Sequence, residues 1–359
     1  MKMSTILLAA IALFPTVSIA ESNTVPVGIR PCCAFGTGLK AELGPVPVPF
    51  YSIKNVLELE DIDAHTFNDG SASVIGSIFG SEDEVNGLLY TLKGGFIDTA
   101  HVRDTADFTY FLYNEMKNGA AIDRNIELTD ELRQRRIVLS DLNEIEPSTR
   151  NQTFAQISAL AAFRLAQWHE IAQWYGLISV GDFKEYPSAF SPEDLYSNML
   201  GALIAVQIIN TNPELTQDEF VSLFPKYFQR RLKSLQVQPE EVTIARLKAL
   251  DGIWWDSEQR LPSKWVVKTR DYHFSLALTP NGIKDGEQLS LSEFKSLEQH
   301  AQLQLLVGKK NEEFDILPDE LQNQAVWTVN HFQALADVAK RVDDQHVNSR
   351  NDALTIELD

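Results

Sequence analysis

Apolar positions recur at helical spacing over long stretches of this chain and at strand-like spacing over short ones. From Phe154 to Tyr175 they cover nearly the whole circumference of a helix, and Gly176 supplies a residue that ends it. A second such helix is predicted over Pro192–Ile209, with Ser191 as N-cap, Pro192 at the first helical position and Asp194 at the third. A helix apolar all round belongs in a core, so both are expected to be central and buried. Helical patterns also run from about Phe96 to Met116 behind Gly94-Gly95, from Thr216 with Glu219 three residues on, from Pro239 to about Leu250, and from Ala325 to Arg341. Shorter runs predict strands at Ala72–Phe79, Leu88–Lys93, Trp265–Val267 and Phe274–Leu278. The class implied is α+β, helix-dominant, with central buried helices and short N-terminal and C-terminal strand segments.

The first twenty residues do not belong to that pattern. Lys2 is followed by an apolar run from Ile6 to Val17 and then by the small residues Ser18 and Ala20, the layout of a secretory signal too short to span a bilayer comfortably. Cleavage is expected after Ala20, without a lipid anchor, because the first cysteine, Cys32, lies well beyond the apolar run. The expected location is periplasmic or secreted. Residues 21–342 then read as one domain, with a possible subdivision near 236–252, and residues 343–359 as a polar tail that frays. No later stretch is long and apolar enough to form an integral membrane segment.

Composition narrows the partners. The 359 residues are 44% hydrophobic and 23% charged, as in an ordinary globular chain, so a core is affordable. Thirty-one basic against 50 acidic residues leave a net charge of −19, which excludes a nucleic-acid binder and disfavours docking on an anionic membrane. The basic run Lys226, Arg230, Arg231 and Lys233 reads as the solvated face of one helix, and Trp254-Trp255 as core packing.

Two of the seven histidines stand out. His101 has Asp98 and Asp104 three residues to either side on one helical face, a spacing that lets carboxylates share a metal with an imidazole or orient it. Asp98 is equally a natural N-cap. His169 and Glu170 sit side by side in a helix with no polar face, where charge is costly unless paired or metal-bound. The segment lacks the second histidine of the zincin signature, since position 173 is Gln. In Ser188–Gly201, Asp194, Ser197, Asn198 and Gly201 share a face. Capping accounts for Asp194, but a mid-helix Gly201 beside Asn198 calls for a close backbone approach or a pocket wall. Adjacent Cys32 and Cys33 are either a local strained disulfide, two buried thiols or a reactive thiol.

The motifs RPCCAFG, NGLLYTLKGGFIDTAHVRDTAD, WHEIAQWYG and SAFSPEDLYSNMLG, in that order behind a signal sequence, resemble the bacterial family catalogued as domain of unknown function 4056. The likeness covers nearly the whole chain after residue 20. It implies one exported unit and groups Cys32, Cys33, Asp98, His101, His169, Glu170 and Asp194 as residues of the family pattern, but it implies no reaction.

Three functions are consistent with these residues. In the first, a metal-dependent hydrolase, His101 and His169 ligate a divalent ion such as zinc with Asp98, Asp104 or Asp194, and Glu170 is the base. Its substrate would be a small molecule or polymer of the cell envelope. In the second, an amidase or acyltransferase, Cys32 or Cys33 is the nucleophile and His101 the base. In the third, a non-catalytic binding or scaffold protein, every polar motif is structural.

Overall fold

The computed structural model describes residues 24–30, 35–40, 55–70, 84–119, 122–178, 184–308 and 311–356. The signal segment, Cys32, Cys33 and the expected strand Ala72–Phe79 lie outside the described residues.

The fold is α+β with helices dominant. A tight hairpin of β1 (Leu88–Thr91) and β2 (Gly95–Asp98) sets Leu88 opposite Asp98, and its turn needs the left-handed φ of +66° that Gly95 adopts. The chain passes from β2 directly into α1 (Thr99–Asn118). After β3 (Arg124–Glu127) and β4 (Gln134–Leu139) come α2 (Arg150–Trp174) and α3 (Asp194–Thr211). These three helices pack on one another, and their apolar residues form most of a core that extends from Leu57 to Ala339. Next follow α4 (Gln217–Ser234), opened by the expected Thr216–Glu219 capping box, and α5 (Glu240–Ala249), opened at Pro239. The later strands are short: β5 (Ala277–Leu278) pairs with β6 (Leu289–Ser290). β7 (Ala301–Leu306) and, after the one-turn α6 (Asp319–Gln322), β8 (Val326–Trp327) complete an antiparallel sheet of order β3-β4-β7-β8. A final helix, α7, spans Phe332–Ile356.

Several local expectations change in three dimensions. α3 begins at Asp194 with Glu193 at its N-cap, two residues later than Ser191 and Pro192 suggest. The entry is set from outside the helix: the amide of Phe190, itself at a left-handed φ of 56°, donates to Glu170 on α2 at 2.7 Å. Lys264–Val266 is a 3₁₀ turn, not the strand expected at Trp265–Val267, and only Ala277–Leu278 of the next expected strand is paired. The helix expected from Ala325 starts at Phe332, because Trp327 is drawn into the sheet opposite Leu305 and lies under the guanidinium of Arg133, 3.4 Å from the ring centre. The tail beyond Asp343 continues that helix to Ile356. Asp343 is buried and accepts from Trp174 Nε1 at 2.9 Å and from the Tyr272 hydroxyl at 2.5 Å, while Lys264 Nζ pairs with it at 2.6 Å.

Two features fix α1 against its surroundings. On one side α3 approaches so closely that a Cβ on Gly201 would stand 2.0 Å from the carbonyl oxygen of Val102. The close approach expected of a mid-helix glycine is therefore present. Asn198, one turn earlier, accepts from Thr105 Oγ1 at 2.7 Å, and Ser197 Oγ accepts from the amide of Asp98 at 2.9 Å. On the other side, residues 24–30 and 55–70 are tied to α1 by buried ion pairs. Arg30 holds Asp104 at 2.7 Å and Glu84 at 2.7 Å. His65 bridges Glu84 at 2.9 Å and Asp107 at 2.8 Å, and Arg103 Nε lies 3.5 Å from Glu84. Burial opposes charge on His65, but Asp107 and Glu84 outweigh it and its pKa is pushed up to about 9. Three carboxylates thus meet two guanidinium groups and one imidazolium, and the network is close to neutral.

Replacing Gly201 with Ala is expected to destabilise the protein by about 1–3 kcal/mol through overpacking, read as a lower denaturant midpoint at constant slope. The His65 network sets a pH dependence. Its folded pKa of about 9 lies above the ordinary 6.5, so its stabilisation is complete below pH 6.5 and is lost as pH rises through 9. Denaturant midpoints measured from pH 6 to 10 should fall through that window, and a His65→Gln variant should lose that part of the slope.

Candidate metal centre

Asp98 ends β2 and begins α1. Its Oδ1 caps the helix, accepting from the amides of Ala100 at 2.8 Å and His101 at 3.2 Å, so the capping and clustering expected of this residue are compatible. That cap holds His101 in the first turn. Asp194, in the first turn of α3, comes within 2.9 Å of His101 Nδ1. The contact is close but not aligned as a hydrogen bond, and both His101 Nδ1 and Asp194 Oδ2 lack a hydrogen-bond partner. Donor atoms of Asp98, His101 and Asp194 lie within 4.8 Å of one another, all three residues buried.

α2 brings the second histidine to the same place. The rings of His101 and His169 stand edge to face with centroids 6.3 Å apart. The two distant histidines are neighbours, but His169 is not in the 4.8 Å donor set, so the single coordination sphere expected to hold both imidazoles is not what the structure groups. His169 Nδ1 lies 3.2 Å from Glu131 Oε1 and its Nε2 lies 3.9 Å from Glu185 Oε2. Glu170 directs Oε2 to the Phe190 amide and leaves Oε1, fully buried, without a partner. Asp104 does not join the cluster, a correction to its place among the expected ligands: Arg30 engages both its oxygens, Oδ1 through Nε at 2.8 Å and Oδ2 through the backbone amide at 2.5 Å. Asn198 lines the α1–α3 seam through Thr105. Cys32 and Cys33 lie outside the described residues.

The electrostatics distinguish this cluster from the balanced network on the other side of α1. Burial and the neighbouring charge of Asp194 push Glu170 up to about 8. Burial, Glu193 and Asp98 push Asp194 well above the usual carboxylate range, and burial pushes Glu193 up to about 7. The guanidinium whose charge reaches Asp194 and Glu170 is that of Arg270, which also serves Asp343 at 3.8 Å and donates to the carbonyls of Ala189, Tyr186 and Lys264. Asp194 and Glu170 therefore share one cation with Asp343. Around His169 the sign differs. Burial opposes its charge, but Glu131, Glu185 and Glu170 raise its pKa. Burial would raise Glu131, yet Arg135, at 2.9 Å, and His169 hold it below the usual range.

Sequence reasoning did not single out Glu131, Glu185, Arg135 or Arg270. Glu131, just before β4, and Arg135, within it, carry a weak signal as part of a charged run, whereas Glu185 and Arg270 lie in irregular segments that look like surface loop. Beside Glu193, a crevice lined by Gly94, Phe96, Pro192, Tyr196 and Trp254 holds about 10 Å³ of free volume, room for roughly one water.

No helix among the described residues is long and apolar enough to cross a membrane. No curated protein and no solved structure matches this chain. A family model described as a protein of unknown function, DUF4056, matches residues 20–284. That span contains Asp98, His101, His169, Glu170 and Asp194 and stops short of β6, β7, β8 and α7, so it is less extensive than the resemblance of the motifs implied. The match extends over more than half of the residues, and the chain belongs to the DUF4056 family.

Proposed function

We propose that this protein is an exported, metal-dependent hydrolase of the cell envelope, with a divalent ion such as zinc held by Asp98, His101 and Asp194. The observation that carries this reading is the 4.8 Å cluster of two carboxylates and an imidazole in a buried site. Its charge points the same way. The Arg30–His65 network neutralises its carboxylates with protein cations, whereas around Asp98, Glu170, Glu193 and Asp194 the cationic groups are Arg270, which Glu170 and Asp194 share with Asp343, and the imidazoles of His101 and His169. The carboxyl groups of Glu170, Glu193 and Asp194, raised first by burial and then by neighbouring negative charge, are relieved by a cation, and mixed imidazole and carboxylate donors suit zinc or manganese.

A bound divalent ion would supply Lewis acidity and lower the pKa of a coordinated water. Glu170, with one oxygen fixed by the Phe190 amide and the other unpartnered, is placed to accept a proton beside the cluster. Arg270 and Glu193 shape the entrance to α3 around Asp194. Export is supported by the apolar run from Ile6 to Val17 and by a family match that begins at residue 20.

Untagged protein purified from the envelope is expected to contain a divalent ion by elemental analysis. His101→Ala and Asp194→Asn should each lose the ion held by this cluster. Glu170→Gln should keep it and lose about 10²–10⁴-fold in turnover on whichever of a panel of peptidoglycan fragments, phosphoesters and acyl esters the parent hydrolyses. Full metal content in His101→Ala and Asp194→Asn would overturn the assignment. Mass spectrometry of the same preparation should find Glu21 as the N-terminus, and an intact residue 1–20 segment or a lipidated Cys32 would refute export by this route.

A further inference from the structure

The basic residues of α4 divide between two settings. Lys226 and Lys233 are exposed, as expected of a solvated helix face. Tyr227, Arg230 and Arg231 fall at i, i+3 and i+4, so they share one stripe of the helix. Together with Leu203, Ile204 and Gln207 of α3, that stripe lines a cavity of about 360 Å³ between the two helices. The volume lies within the roughly 300–1,000 Å³ of small-molecule sites. Ile204 is buried and Leu203 and Tyr227 are half-buried, whereas Gln207 and Arg230 are exposed, so an apolar floor meets a polar mouth.

Charge selects what such a cavity holds. Acidic residues outnumber basic ones by 50 to 31, so an arginine of this protein has carboxylates in surplus to pair with. Arg231 takes one: its Nη2 donates to Glu287 at 2.5 Å and its Nη1 to Ser234 Oγ at 3.1 Å. Arg230 takes none among the described residues, and no carboxylate lines the cavity. The Arg230 guanidinium lies 5.1 Å from the centre of the Tyr227 ring, and the Tyr227 hydroxyl donates to Thr211 Oγ1 of α3 at 3.2 Å. An arginine laid on an aromatic face keeps its planar N–H edges available, and those edges match a carboxylate or a phosphate. We propose that this cavity binds a small organic anion, a carboxylate or phosphate head on a compact apolar body. Arg230 takes the head, and Leu203 and Ile204 take the body. A polyanion does not fit, because the net charge of −19 repels one, whereas a single head needs only the local cation. Leu203 and Ile204 follow Asp194 by nine and ten residues on α3, roughly 14–15 Å along the helix. The cavity is therefore separate from the metal cluster, and the proposal does not rest on that reading.

The test is calorimetry on the full-length chain after export, stripped with chelator so that no metal holds an anion. Benzoate, phenyl phosphate, benzyl alcohol and inorganic phosphate are titrated in turn at low ionic strength. One aryl anion per chain is expected, bound more tightly than benzyl alcohol, which lacks the charge, and than inorganic phosphate, which lacks the apolar body. A preference for benzoate identifies a carboxylate head, and a preference for phenyl phosphate a phosphate head. Arg230→Gln should weaken the preferred anion by about tenfold or more. Its circular dichroism should match that of the parent, since the side chain replaced is exposed. Asp194→Asn should bind the anion as the parent does. Equal binding by Arg230→Gln and the parent, binding lost in Asp194→Asn, equal affinity for benzyl alcohol or inorganic phosphate, or no saturable binding of either aryl anion would each overturn the proposal.

Discussion

Charge taken out of water has to be neutralised where it sits, and the central three helices of this protein bury a great deal of it. Isolated ions in such surroundings are expensive enough that the group either finds an opposite charge, gives up its own, or coordinates a metal. α1 shows two of these outcomes on two sides. Toward the N-terminal segments, Asp104, Asp107 and Glu84 meet Arg30, Arg103 and His65, and the account closes with protein groups alone. Toward α2 and α3, Asp98, Glu170, Glu193 and Asp194 meet Arg270 and two imidazoles, and it does not close. The contrast within a single helix is the strongest physical reason to regard the second cluster as a site.

The packing serves that cluster. β2 runs into α1 without a loop, so the hairpin fixes Asp98 and Asp98 fixes the first turn that carries His101. Gly201 lets α3 lie against the backbone of Val102, and Ser197 and Asn198 bond across the same seam. Glu170, reaching from α2 to the Phe190 amide, sets where α3 begins and therefore where Asp194 points. Each of the three helices contributes a side chain to the cluster and a bond that positions the next. A rigid scaffold of this kind holds donor atoms in place better than loops would.

Much of the frame was legible in the sequence. Apolar residues around the full circumference of Phe154–Tyr175 and Pro192–Ile209 require burial whatever the topology, and the glycine at 201 required a close neighbour. The pairing of His101 with Asp98 followed from helical spacing and a cap, both local. The prominence of His169 and Glu170 followed from polarity in an apolar helix. These are short-range properties, and short-range physics decides them.

What the sequence could not decide was which opposite charge each buried group would meet. Asp98 and Asp104 are equally spaced about His101, yet Asp104 turns to Arg30, seventy-four residues away, and Asp194, from another helix, takes the place beside the imidazole. Glu131, Glu185 and Arg270 come from a strand edge and irregular segments with no periodic signal, and they determine the charge around His169 and how Asp194 is compensated. The same holds for Trp327, which Arg133 and Leu305 take into the sheet and out of the expected helix. The residue types and their local geometry are written in the chain, but Coulomb energy at low dielectric depends on distances through space, and only the packed helices set those.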